Sequence, residues 1–209
     1  MQRYRVNYKL FAGLIVAVIV AAGAVFAARQ VNIARNADDL LPRADGLEKE
    51  GNLAEATKSL ENYVAFRKDD VESQIRIGKN YITLAEDMLK AGEPGAAMNY
   101  RKRASALLTK YPEHHELRRD LVDLDLKYGF AQYEEFNKET VGHIQRLPDA
   151  ETDAELIEGL ALCYMFQKQP KKAAVELDKL VGYDPVNRTF DPTKAMAPKR
   201  LEAYALYSK

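Results

Sequence analysis

The chain contains no tryptophan and one cysteine, Cys163, among its 209 residues. A single thiol excludes an internal disulfide and leaves the redox compartment open. The usual chemical signatures are missing as well. Gly92 and Gly95 bracket a proline turn with no Lys-Ser or Lys-Thr behind it, so there is no phosphate loop. No G-x-S-x-G nucleophile elbow and no H-E-x-x-H helix occurs. No stretch alternates polar and apolar residues with the period of a strand. Histidine is scarce too. His114 and His115 are adjacent, and neighbours on a helix point about 100° apart, so the Glu113-His114-His115-Glu116 run lacks metal-ligand spacing. These absences leave no catalytic group, cofactor or metal site to nominate. Cys163 has no base or basic neighbour in sequence and reads as a buried structural thiol.

Charge of one sign is absent from the N-terminal end. Residues 1–36 carry Arg3, Arg5, Lys9, Arg29 and Arg35 and no acid, while the rest of the chain holds 26 basic and 31 acidic residues. A mildly acidic body offers no footprint for nucleic acid. Its one compact basic run, Arg101-Lys102-Arg103, reads as a solvated helix face.

The basic residues flank the uncharged stretch Leu10 to Ala28, of which ten are Leu, Ile, Val or Phe. At about 1.5 Å per residue it matches the roughly 30 Å hydrocarbon core of a bilayer. Residues 10–28 are therefore expected to form a transmembrane helix, preceded by a short basic N-terminus (1–9) and followed by a linker (29–36). The heavier basic load before the span places the N-terminus in the cytoplasm and the body on the periplasmic side. Gly13, Ala17 and Ala21 share one helix face, a pattern that permits self-association through the span. The rival reading is a signal peptide cut after Ala22-Gly23-Ala24, which would release a soluble periplasmic protein. The length of the apolar run favours the span.

Beyond the linker the sequence is punctuated at helix-pair intervals. Leu40, Ala44, Leu47, Ala56, Leu60 and Tyr63 align at one constant offset with Ile157, Ala161, Tyr164, Ala173, Leu177 and Leu180. Apolar residues recur at spacings of three and four throughout, and Gly or Pro separates the segments. An all-α body of four helix pairs follows: residues 37–70, 71–112, 113–153 and 154–187. Residues 188–209 add a loop and the first helix of an incomplete further repeat. The two middle pairs take 83 residues; their extra length is expected in longer helices around 84–91 and 125–137, with the third pair broken at Gly129.

With these residues the chain resembles the tetratricopeptide-repeat (TPR) family, most clearly over 37–70 and 154–187. The large aromatic that family places early in the first helix is absent here. An anchor followed at once by such repeats also resembles bacterial envelope proteins with long repeat arrays. The resemblance implies an α-solenoid of antiparallel helix pairs whose first helices line a concave groove for a protein or peptide. Carried over residue by residue, that lining includes Ile75, Arg76, Lys79, Ile82 and Thr83 in the second pair. In the fourth it includes Glu155, Glu158, Leu162, Met165 and Phe166. Arg76 and Lys79 are expected to meet a carboxylate, and Leu162, Met165 and Phe166 to form an apolar floor. The competing role for the apolar members is packing against the next helix. Leu41 and Asp45 stand where chaperone-tail-binding members carry Lys and Asn, which disfavours such tails.

The sequence thus points to a membrane-anchored, non-catalytic scaffold for protein–protein interaction. A second reading makes it the accessory N-terminal region of a larger enzyme or assembly protein.

Overall fold

The computed structural model describes residue 37, residues 39–181 and a few isolated positions on either side. Of the 10–28 stretch only Ile15, Val18, Val20 and Ala21 are described, so the expected span lies outside the described residues. Among the described residues no helix is long and apolar enough to cross a membrane. The half-repeat expected in 188–209 also lies largely outside them.

The described body is all-α apart from one two-residue ladder, Tyr183–Asp184 against Thr189–Phe190. Eight helices are described. Helix α1 covers residues 39–49. The next three are α2 (Leu53–Phe66), α3 (Val71–Lys90) and α4 (Pro94–Lys110). They are followed by α5 (His115–Lys127), α6 (Glu134–Ile144), α7 (Ala154–Phe166) and α8 (Pro170–Val181). They pack pairwise in the manner of tetratricopeptide repeats.

Local chemistry sets the boundaries. Asn52, Asp70, His114 and Asp153 each accept a backbone N–H at the start of a helix, satisfying donors that have no partner inside it. His114 is thus spent as the cap of α5. Gly51 and Gly92 adopt positive φ, where the chain must leave α1 and α3 and reverse. Pro94 and Pro170 open α4 and α8, where a missing N–H costs nothing. The extra length of the middle pairs appears in α3, which runs for 20 residues. Around 125–137 the break falls at Gly129, and the extra residues there form a 3₁₀ turn at Phe130–Gln132 before α6 and do not lengthen the helices.

The chain divides into two compact units, residues 1–77 and 78–209, with the boundary inside α3. In the first, Ala44 and Ala56 are fully buried and let α1 and α2 approach, with Leu60 beside them. In the second, Ala161, Ala173 and Leu177, the aligned residues of α7 and α8, are at most 3% exposed. The second core continues through Val122, Ala131, Ile144, Leu147, Leu156 and Cys163. Burying a Leu or Ile side chain contributes about 1.5–3 kcal/mol, so this core supplies most of the drive to fold.

Candidate functional site

The candidate groove residues of the sequence lie on first helices of the pairs, α3 and α7. Small residues set how closely those helices approach. A Cβ on Gly78 would lie 2.8 Å from a methyl of Leu117, and one on Gly159 only 2.4 Å from a methyl of Leu126. Glycine therefore brings α3 against α5, and α5 against α7.

Ion pairs then stitch the same helices. In the first unit Arg76 of α3 donates to Asp45 at 2.6 Å and to both oxygens of Glu48, at 2.6 to 3.2 Å, on α1. In the second unit Lys79 Nζ meets Glu116 of α5 at 2.5 Å. Further along α5, Arg119 contacts Asp153 at 2.8 Å and Glu155 at 3.3 Å, and also reaches Asp149 and Asp123. The hydrogen bond from Arg119 holds the Asp153 carboxyl below the ordinary aspartate value. These side chains lie at or near the surface, where solvent screening leaves each pair only a small share of the stability. Their main effect is to fix the helices' register.

The candidate groove residues can now be placed. Ile75 and Ile82 are buried, at 6% and 8% exposure, and act as packing residues. Arg76 and Lys79 do meet carboxylates, but those of their own chain. Thr83 is exposed, with its hydroxyl donating back to the Lys79 carbonyl. On α7, Glu155 is exposed and held by Arg119, while Glu158 and Leu162 are half-buried. Met165 packs on the core, and Phe166 remains 40% exposed. Sequence reasoning missed Glu48, Glu116 and Arg119 as members of this face. A signal existed: the pairs Arg76–Asp45, Lys79–Glu116 and Arg119–Glu155 join opposite charges 31, 37 and 36 residues apart, close to one repeat.

Of the basic run Arg101-Lys102-Arg103, Lys102 and Arg103 are exposed, whereas Arg101 is not on a solvated face. Arg101 is fully buried and donates two bonds to Asp125, Nε to Oδ1 at 3.0 Å and an Nη to Oδ2 at 2.7 Å. It also binds Glu139 and lies 4.4 Å from the Phe136 ring centroid. Thr140 donates its hydroxyl to Asp125 at 2.7 Å. Burial pushes the Asp125 carboxyl above its ordinary value, while Arg101 and Thr140 act in favour of its charge. Lys102 pairs with Glu135, and Arg103 stacks over Tyr81. Arg101 thus ties α4 to α5 and α6 as a structural residue, while Lys102 and Arg103 make surface contacts to α6 and α3.

Cys163 is buried, and burial lifts its thiol to about 12, which keeps it protonated and unreactive. Among the described residues no group of His, Cys, Asp and Glu is arranged to hold a metal ion.

No protein-family model matches the sequence, and none of the curated proteins compared with it matches either. Among solved structures the chain is similar to "MamA 41-end from Desulfovibrio magneticus RS-1", with a TM-score of 0.50 and 18% identity over 83% of this chain and 84% of that one. The "MamA RS-1 ArsTM double mutant" gives a TM-score of 0.49 at 18% identity, over 83% of each chain. MamA is a tetratricopeptide-repeat protein, and the likeness assigns this chain the same helical-repeat fold.

Proposed function

We propose that the chain is a membrane-tethered scaffold that holds a protein or peptide partner on the face of its first helices and performs no catalysis. The observation that carries this is the stitched face of the second unit. Lys79–Glu116 and Arg119–Glu155 fix α3, α5 and α7 in register, so side chains such as Thr83 are presented on a pre-organised surface. Pre-organisation lowers the ordering cost that a partner's binding energy must offset. The helical-repeat fold adds support, since such folds serve protein partners.

The tether rests on the sequence of residues 10–28 and their basic flanks. Joining a span to a docking face raises the partner's effective concentration at the bilayer. The proposed orientation puts the repeats on the periplasmic side, and residues such as Gly13 and Ala17 permit pairing of two spans.

Alkaline extraction of membranes, combined with protease treatment of intact spheroplasts, tests the tether. A full-length chain that resists extraction and is digested from outside agrees with it. Release into the soluble fraction with a new N-terminus after Ala24 identifies a cleaved, free protein instead. Charge reversal at Arg76 and Lys79 would be a poor test of docking, because both hold carboxylates of their own chain. Exposed positions on the same helices serve better.

A further inference from the structure

A cleft of about 310 Å³ lies beside the turn that joins α7 to α8. That volume falls at the lower end of sizes in which proteins hold small ligands. One wall comes from the 3₁₀ turn and the start of α6, with Gln132 and Asn137; the other from Phe166, Gln167 and Gln169. Lys168, between the two glutamines, adopts a φ of 58°, which turns the chain sharply at this wall.

Three amides form a relay whose direction is fixed. Asn137 is buried, and its Nδ2 donates to two backbone carbonyls, Ala131 at 2.7 Å and Cys163 at 3.1 Å. Both its hydrogens are thereby used, and its Oδ1 must accept. It accepts from Nε2 of Gln167 at 2.6 Å. Gln167 Oε1 accepts in turn from Nε2 of Gln169 at 3.0 Å. The relay ends on Gln169 Oε1, which is buried and has no hydrogen-bond partner. A buried acceptor without a donor is unfavourable, and a ligand's N–H would satisfy it. The two glutamine amide nitrogens each keep a second hydrogen beyond the relay. An acceptor beside donors is the complement of an amide group. Lys138 and Glu134 at the rim pair with each other at 3.4 Å, and the exposed Lys168 leaves the lining one positive charge, but the buried acceptor Gln169 Oε1 disfavours an anion beside it. The half-exposed Phe166 ring adds an apolar surface.

We propose that this cleft binds an uncharged peptide segment through its amide groups. Gln169 Oε1 accepts the segment's N–H, a free N–H of the glutamine relay donates to its carbonyl, and Phe166 packs on its stem. The site sits at the helix turn, apart from Thr83 and Glu155, and deepens the scaffold reading by naming the chemistry of one docked segment.

The test uses the full chain in detergent micelles with ¹⁵N-labelled glutamine, titrated with N-acetyl-glycyl-glycinamide. The expected result is a saturable shift of the Gln167 and Gln169 side-chain amides, with a dissociation constant of roughly millimolar order. Gln169→Met should weaken binding at least about tenfold, the loss of one well-made hydrogen bond. Its melting temperature should change little, because the variant loses one Nε2 bond to Gln167 and at the same time an acceptor that has no partner in the free protein. Gln167→Met, which cuts the relay at its middle, provides a second variant. No saturable shift up to about 20 mM would overturn the proposal. So would full binding by Gln169→Met, or tighter binding of acetate or N-acetylglucosamine than of the blocked dipeptide. Because the probe is not the natural partner, these outcomes bear on the cleft and leave the first-helix face to its own test.

Discussion

Arg101 and Asp125 form a bidentate ion pair at 3.0 and 2.7 Å with neither side chain exposed to solvent. The register explains the cost. Ala56 and Leu60, Ala97 and Arg101, and Ala173 and Leu177 are equivalent pairs on the second helices, so Arg101 stands where its counterparts carry leucine. Removing one partner of a buried pair strands the other charge and costs about 3–5 kcal/mol, whereas replacing both by apolar groups is often neutral or stabilising. Arg101→Leu and Asp125→Leu alone are therefore expected to lose that much stability. The double variant should recover to within about 1 kcal/mol of the parent or exceed it. Urea denaturation of the four proteins checks this. Additive losses in the double variant would contradict it.

His143 is 8% exposed, and neither ring nitrogen has a hydrogen-bond partner. Burial holds it neutral, down to about 4, with Arg101, Arg118 and Arg146 acting in the same direction and Glu139 opposing. The folded value lies below the free value of about 6.5, so the unfolded chain takes up its proton first as pH falls. The stability that neutral His143 contributes is full above about 6.5, declines between there and about 4, and changes no further below. His143→Leu should remove this slope, worth about 3 kcal/mol across the window. Denaturation curves at several pH values would show it. Parallel pH profiles for both proteins would contradict the assignment.

Two helical glycines should behave oppositely. Nothing lies within 4 Å of a Cβ built on Gly46, so Gly46→Ala should gain up to about 1 kcal/mol from helix propensity alone. At Gly159 a Cβ would meet Leu126 at 2.4 Å, so Gly159→Leu should cost about 1–3 kcal/mol by overpacking α5 against α7. Chemical denaturation midpoints decide both.

Much of the helical ladder is legible in the sequence because its signals are local. Ala44, Ala56 and Leu60 and their counterparts Ala161, Ala173 and Leu177 are spaced for helix contact, and all six are buried. Residues whose role depends on a distant partner are less legible. Arg101 reads as a surface charge until Asp125, 24 residues on, and Phe136 close around it. In 125–137 the break at Gly129, at φ 74°, is legible from the glycine, but the 3₁₀ turn that takes up the extra residues is not. Arg76 and Lys79 read as groove cations for a partner's carboxylate, whereas the carboxylates they meet belong to the preceding and following first helices. The glutamine relay could not be read at all, since two backbone carbonyls set its direction.

The Cys163 thiol, raised to about 12 by burial, should resist alkylation in the folded chain at pH 8 and react at the rate of an ordinary thiol once denatured. Equal labelling of folded and denatured protein by iodoacetamide would contradict its burial.

The most direct test of the scaffold is site-specific photocrosslinking of the full chain in its native membrane. A benzophenone side chain is placed at Thr83, exposed on α3, or at Val175, which is 60% exposed on α8. Docking on the first helices predicts discrete protein adducts from position 83 and markedly fewer from 175. Adducts concentrated at 175, or none at 83, would contradict it.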